Sequence, residues 1–351
     1  MNVAIVGATG YGGLQLVSLL RNNTNYKISF LGGNKSSGSS WNELFPFLPL
    51  KNNPTIEKLI NGLNKNNTDL AFLSLPNGIS STITPELLNK GIKVIDLSAD
   101  YRYKSLDLWK SIYSKEESTY KRKDYELCNE AVYGLAEINF EEIANARLIA
   151  SPGCYPTSSL IPLIPFLNQG IIENQDITID SKSGTSGGGR EPKQNLLFSE
   201  SSDSVSAYGL INHRHTSEIE QPISQITGNN VELIFTPHLL PMVRGMYSTI
   251  YGKLKDPNLT SDDCRIILEN YYRNFSNIRI LPVDVYPSTN WVKNTNNIYL
   301  SVKVDSRNGR IIILSALDNL LKGQAGQALQ CLNIMSGLPI NEMLNLSYFY
   351  P

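Results

Sequence analysis

Along the first 150 or so residues, short apolar runs alternate with stretches whose apolar positions recur at helical spacing. Runs at 3–6, 28–31, 70–74 and 92–97 read as strands, and the stretches near 12–21 and 85–90 read as helices between them. That rhythm predicts βαβ units and a parallel sheet, because parallel neighbours need a crossover long enough to hold a helix. A further run at 147–150 closes this sheet before the pattern changes near Ser151. Beyond it strands dominate. The β-rich segments 177–181, 231–236, 246–254, 298–304 and 310–317 have few helices between them, which predicts a mostly antiparallel sheet in an α+β domain. A last helix, over 323–335, carries Gly323, Ala325, Gly326 and Ala328, small residues suited to close packing against the first domain.

A chain of 351 residues fits two such domains, each able to bury its own core. Composition narrows the partners. The 31 basic and 32 acidic residues are scattered, which disfavours nucleic acid and anionic membranes and leaves a small molecule. No apolar run is long enough to span a bilayer, and no basic stretch precedes an apolar one at the start, so neither anchor nor signal peptide is expected. Cys128, Cys154, Cys264 and Cys331 are far apart, without metal-ligand spacing or a disulfide pattern. Free thiols, no metal and a cytoplasmic setting follow as expectations.

The turn after the first strand holds Gly7, Thr9, Gly10, Tyr11, Gly12 and Gly13. Glycines at 7, 10 and 13 between a strand and a helix let backbone N–H groups approach a pyrophosphate at the helix N-terminus, and this predicts dinucleotide binding. An NAD site places a carboxylate at the end of the second strand. Here that stretch runs from Leu31 to Ser37 with none, and Lys35, Ser36 and Ser37 can meet a 2′-phosphate instead. NADP(H) is therefore expected over NAD. The alternative is a plain polar loop.

Cys154 stands in Ser-Pro-Gly-Cys-Tyr-Pro-Thr, after a strand and before the apolar run 160–167. A helix beginning near Tyr155 would favour its thiolate, as a nucleophile requires. Against this, a lone cysteine is commonly a buried structural group, and Pro162 and Pro165 predict a short or kinked helix. Three histidines occur in the chain. His238 reads as structural, whereas His213 and His215 flank Arg214 and suit proton transfer beside an anionic substrate. In an extended segment both imidazoles would share one side and Arg214 the other. The Gly-rich stretch 181–190, with Lys182 and Arg190, reads equally as an anion cradle or as a linker.

Nine segments in order resemble the N-acetyl-γ-glutamyl-phosphate reductases, relatives of aspartate-semialdehyde dehydrogenase and, more distantly, of glyceraldehyde-3-phosphate dehydrogenase. They are GATGYGG at 7–13, FLSLPNG at 72–78, DLSADYR at 96–102, YGLAEI at 133–138, SPGCYPT at 151–157, SKSGTSGGGR at 181–190, HRHTSEIEQ at 213–221, TPHLLPMVRG at 236–245 and DNLLKGQAGQA at 318–328. The resemblance covers nearly the whole chain. It implies a Rossmann domain over 1–153 completed by 319–351, a catalytic and dimerisation α+β domain over 154–318, and a dimer or tetramer. It implies NADPH-dependent reduction of N-acetylglutamyl phosphate through a thioester on Cys154, with His213 or His215 as acid/base. It also implies that Pro76 and Asn319 adjoin the cofactor, and that Ser183, Gly184, Arg190 and Arg102 bind substrate. Ala136, Ser151 and Asn77 stand where this family usually has proline, asparagine and histidine, and none of the three removes a catalytic group. Reduction of a related acyl phosphate, aspartyl phosphate or carrier-bound aminoadipyl phosphate, and non-catalytic sensing of NADPH are the competing readings.

Overall fold

The computed structural model describes residues 1–113, 122 and 124–345. The chain forms two compact units, one from Met1–Pro152 and Gln324–Leu344, the other mainly from Gly153–Gly323. The return to the first unit thus begins five residues later than the expected 319, and residues 346–351 of that expectation lie outside the described residues.

In the first unit β1 (Asn2–Val6), β2 (Lys27–Gly33), β3 (Glu57–Lys58), β4 (Leu70–Leu73), β5 (Lys93–Asp96), β6 (Val132–Tyr133) and β7 (Leu148–Ala150) form one parallel sheet. Its order is β3-β2-β1-β4-β5-β7-β6, so the winding reverses between β1 and β4. The strands read as continuous apolar runs because both faces are covered. Val3 and Ile5 join a core with Leu16, Val17 and Leu20 of the Tyr11–Leu20 helix and Leu329 and Leu332 of the Gly326–Met335 helix. Ala4 and Val6 point the other way, to Ile83, Leu87 and Leu88 of the Ser80–Asn89 helix. Every residue of the Gly326–Met335 helix is buried, and its polar members are paired: Gln327 donates to the Gly134 carbonyl at 2.8 Å and Gln330 to Glu137 at 2.9 Å.

The second unit is built on β8 (Thr178–Gly184), β9 (Ser206–Ala207), β10 (Ile234–Leu240), β11 (Met246–Lys253), β12 (Ile278–Ile280), β13 (Ile298–Asp305) and β14 (Arg310–Leu317). Their order is β12-β13-β14-β11-β8-β10-β9. Pairing is antiparallel except at β12/β13 and β8/β10, so the sheet is mixed with an antiparallel majority. Alternation decides its faces. Ile179, Ser181, Met246, Ser248 and Ile250 are buried, and the Cys154–Asn168 helix docks on that side, where Ser158 meets Ser248 at 2.7 Å and Ser248 meets Ser181 at 2.7 Å. Asp180, Lys182, Tyr247, Thr249, Tyr251, Ile312 and Leu314 alternate with these buried positions and are only half-buried.

Three expectations shift. The strand expected at 231–236 runs Ile234–Leu240, later along the chain. The helix bearing Pro162 and Pro165 is neither short nor broken; it runs 15 residues, and from Tyr155 to Leu167 every side chain is buried, so packing on all sides sustains it despite the missing N–H donors. The helix expected from 323 divides into a π turn, Leu321–Ala325, and an α-helix, Gly326–Met335. Among the described residues no helix is long and apolar enough to cross a membrane.

Candidate active site

Cys154 is the first residue of its helix, capped by the extended Gly153, with no acidic side chain in the first turn. It is partly exposed, whereas the other three cysteines are buried, and none of the four is bridged. Burial raises the thiols of Cys128 and Cys264, the latter to about 11, so neither is an anion near neutral pH. The chemistry of Cys154 is framed by the turn that enters the Thr216–Thr227 helix. That turn, not an extended strand, holds both histidines: His215 is the helix N-cap with φ −84° and ψ −12°. The two imidazoles still come together, with ring centres 5.0 Å apart, and each lies edge-on to Tyr155, at 5.7 Å for His213 and 5.8 Å for His215. Arg214 between them is exposed.

Their surroundings differ. His213 packs among Tyr155, Tyr208 and Phe235, and its Nδ1 accepts the His215 backbone N–H at 3.1 Å. Burial, and secondarily the charge of Arg214, push it down to about 4. His215 is buried with Nε2 3.9 Å from Oε2 of Glu218. The other oxygen of Glu218 accepts the Gly153 N–H at 2.8 Å. One fully buried carboxylate therefore ties the residue before the cysteine to the histidine. Glu218 carries a signal that sequence reasoning passed over: it stands three residues after His215, which is one helical turn. His238 lies apart on β10, its Nδ1 3.2 Å from Asp180.

The Gly-rich stretch is neither a linker nor an open cradle. It continues β8 into a short 3₁₀ turn, Thr185–Gly188, and the N–H groups of Gly184, Thr185 and Ser186 are spent on the carbonyls of Gly245, Met242 and Val243 at 2.8–3.1 Å. Ser183 is buried, Gly184 packs so closely that a Cβ would fall 2.7 Å from the Val243 carbonyl oxygen, and Arg190 is exposed at the loop end. Asn319 is bound up with this loop: its amide donates to Ser186 at 2.9 Å and accepts from the Gly245 N–H at 2.8 Å.

In the first unit, Gly7 has φ +86° and a Cβ there would fall 2.1 Å from the Ser74 carbonyl oxygen; at Gly13 it would fall 2.3 Å from that of Gly7. Only glycine fits either place. Gly10 caps the Tyr11–Leu20 helix without any side-chain cap, and Thr9 and Tyr11 flank it. This helix start lies at the β1/β4 reversal, where doubly wound sheets take their ligand. β2 ends in Gly32 and Gly33 with no carboxylate, and Lys35 and Ser36 follow in a turn with Lys35 exposed. The residues present fit a phosphorylated dinucleotide. Exposed Pro76 opens the loop after β4, and this loop is fastened by Asp100, which accepts from Gly78 N–H at 2.6 Å and Ser81 N–H at 2.9 Å. Arg102 is buried and donates to the carbonyls of Ser151 at 2.8 Å and Leu97 at 3.1 Å, so it braces the end of the sheet from which the Cys154 segment departs. Among the described residues no cluster of His, Cys, Asp and Glu could hold a metal ion.

A nucleotide-type sheet in one unit and, in the other, a cysteine that begins a helix, with a histidine–glutamate pair fastened to the residue before it, are the features of a semialdehyde dehydrogenase. Residues 2–146 match the semialdehyde dehydrogenase NAD binding domain and 154–319 the semialdehyde dehydrogenase dimerisation domain. An N-acetyl-gamma-glutamyl-phosphate reductase of Prochlorococcus marinus subsp. pastoris is 70% identical over 351 residues, spanning 100% of both chains. One from another Prochlorococcus marinus strain, SARG, is 56% identical over 100% of this chain and 98% of its own. Aspartate semialdehyde dehydrogenase II of Vibrio cholerae, solved in complex with ASA, shares the fold at TM-score 0.72 and 18% identity, over 96% of this chain and 98% of that one. The chain belongs to the N-acetyl-γ-glutamyl-phosphate reductase family.

Proposed function

We propose that this enzyme reduces N-acetyl-L-glutamyl 5-phosphate to the 5-semialdehyde and phosphate, with NADPH, in arginine biosynthesis, through a thioester on Cys154. The observation that carries the reading is the Glu218 carboxylate, held on the Gly153 N–H at 2.8 Å and beside His215 at 3.9 Å. Cys154 starts a helix, so the positive end of the helix dipole favours negative charge on its sulfur. The sulfur attacks the acyl carbon, a carbon–sulfur bond forms, and the carbon–oxygen bond to phosphate breaks. Gly7, Thr9, Gly10, Tyr11, Gly12, Gly13, Lys35, Ser36 and Pro76 would hold NADPH, which would supply the hydride that reduces the thioester carbon. His215 gives its proton to the oxygen that was the carbonyl and takes it back as the carbon–sulfur bond opens, releasing aldehyde and thiolate. Glu218 links His215 to the residue before the cysteine. His213 shapes the aromatic wall beside Tyr155.

Arg190, at the exposed end of the loop, takes an anionic group of the substrate; Ser183 and Gly184 hold the loop that carries it, and Asn319 sets its stance. We assign Arg102 to bracing the 151–154 turn, since two of its donors are committed to backbone carbonyls. Unbridged cysteines suit the cytoplasm. The half-buried face of the second sheet suits a homo-oligomer. Cys154→Ala is expected to abolish phosphate-dependent oxidation of N-acetylglutamate semialdehyde while NADPH still binds, as measured by fluorescence titration. Turnover by that variant would overturn the covalent mechanism.

A further inference from the structure

Asp318 is fully buried just after β14, and its carboxylate gathers five donors. Arg244 grips it in a fork, Nε to Oδ2 at 2.9 Å and Nη2 to Oδ1 at 2.8 Å. The Asn294 N–H adds 2.8 Å to Oδ2, and those of Leu320 and Leu321 reach Oδ1 at 2.9 and 3.0 Å. The same residue's carbonyl accepts the Gly323 N–H at 2.9 Å, five residues on, which is the bond that opens a π turn. Asp318 thus fixes this turn twice, through its side chain and through its backbone.

What the turn holds is Gly323. A Cβ there would stand 2.8 Å from Cβ and 3.3 Å from Cα of Cys154, closer than a side chain tolerates. The Gly323 backbone therefore rests directly on the stem of the cysteine. A helix carries its first residue with freedom about χ1, and a wall of backbone on one side restricts where the sulfur can point. Five charge-assisted or backbone bonds on one carboxylate exceed what holding a single turn requires. Their joint effect is to lock three segments, around 244, 294 and 320, behind the nucleophile.

We propose that Asp318 is a positioning residue of the reaction, acting through the π turn and Gly323 on the direction in which the Cys154 sulfur is offered. The proposal rests on Cys154 being the nucleophile. Asp318→Asn keeps size and one acceptor oxygen but sets an NH₂ group against N–H donors, and it removes the partner charge of Arg244. The test compares the full-length wild type, Asp318→Asn, Arg244→Lys and Gly323→Ala. Iodoacetamide alkylation of Cys154 is followed by peptide mass from pH 5 to 10, beside kcat and KM for the semialdehyde and the thermal melt. Asp318→Asn is expected to stay folded, to alkylate more slowly with a displaced pH profile, and to lose kcat by about 10²-fold, the scale of an ångström of misplacement, with KM little changed. Arg244→Lys, which keeps a charge without the fork, should fall between. A folded Asp318→Asn with kcat and alkylation profile within about twofold of wild type would overturn the proposal. If Asp318→Asn does not fold, Gly323→Ala decides: it presses on Cys154 without touching the Asp318 bonds, so loss of kcat with a normal melt supports the proposal and full activity sinks it. Failure of wild-type Cys154 to alkylate would instead strike at its assignment as nucleophile, a result separable by the mapped peptide.

Discussion

Two imidazoles 5.0 Å apart have been given different work by what surrounds them. His213 lends Nδ1 to a backbone N–H and is held neutral by burial and by Arg214, down to about 4. It has no proton to give at neutral pH. His215 sits beside the Glu218 carboxylate, Nε2 to Oε2 at 3.9 Å. In steady-state assays His213→Gln is expected to lose a few fold of kcat, and His215→Gln about 10²–10⁴ of the rate. If His213→Gln suffers the larger loss and His215→Gln the smaller, the roles are exchanged. His213 has a second consequence with a fixed sign: its folded value lies below the ordinary 6.5, so the unfolded chain takes the proton first, and stability falls as pH drops from 6.5 towards 4. The sequence made the pair visible but did not separate its members. Their difference comes from Glu218 and from the aromatic shell of Tyr155, Tyr208 and Phe235, contacts between residues up to some tens of positions apart.

At the scale of elements, the end of β5 holds a buried acid pair, Asp96 and Asp100, both raised chiefly by burial. Asp100 is the better placed to stay ionised, because Gly78 and Ser81 donate to it and Arg122 lies near, whereas Asp96 has only serine donors and feels the charge of Asp100. Asp96 therefore holds a proton in the fold that it would give up in the unfolded chain above 3.8. A raised carboxyl of this kind lowers stability progressively as pH rises through that interval. Asp96→Asn is neutral at every pH, keeps an acceptor for the Ser98 N–H and leaves the Ser98 hydroxyl able to accept. It is expected to raise the melting temperature by about 3 °C at pH 8 and by little at pH 5, on the scale of roughly 1 kcal/mol for a domain of this size. Equal shifts at both pH values would refute the protonated state. Neither the pair nor its effect was legible beforehand, since two aspartates four residues apart gain meaning only when a strand end buries them. The Cys154–Asn168 helix shows the opposite limit. Pro162 and Pro165 argued for a break by local rules, and burial on every side overrode them.

For the molecule as a whole, the pattern of apolar positions foretold the parallel sheet, because strands covered on both faces leave uninterrupted runs, but not the order of its strands, which only their pairing shows. The second sheet was foretold as antiparallel in the main, and its two parallel contacts, β12/β13 and β8/β10, were not, since the three-residue β12 leaves little pattern to read and β8 and β10 are separated by β9 and the Thr216–Thr227 helix. Its faces bear on assembly. Ser181, Ser248 and Ile250 are sealed under the Cys154–Asn168 helix side, while Tyr247, Thr249, Tyr251, Ile312 and Leu314 line the alternate positions, half-buried. Across that face Thr249 stands opposite Leu314 and Tyr251 opposite Ile312, so apolar and hydroxyl-bearing side chains form a patch, bordered by Asp180 and Lys182 on one side and Lys303 on the other. Patches of that kind on a sheet face are covered in stable proteins, by a helix or by another subunit. We expect a second copy, in keeping with a homo-oligomer, and a two-fold axis would bring the same face of both copies together. Leu314→Arg would then put an unpaired guanidinium from each copy into the interface while leaving the buried face untouched. Sedimentation velocity should show the wild type as an oligomer and this variant shifted towards monomer, with its circular dichroism unchanged. A variant that sediments with the wild type would mean that the face is not the one through which the copies meet.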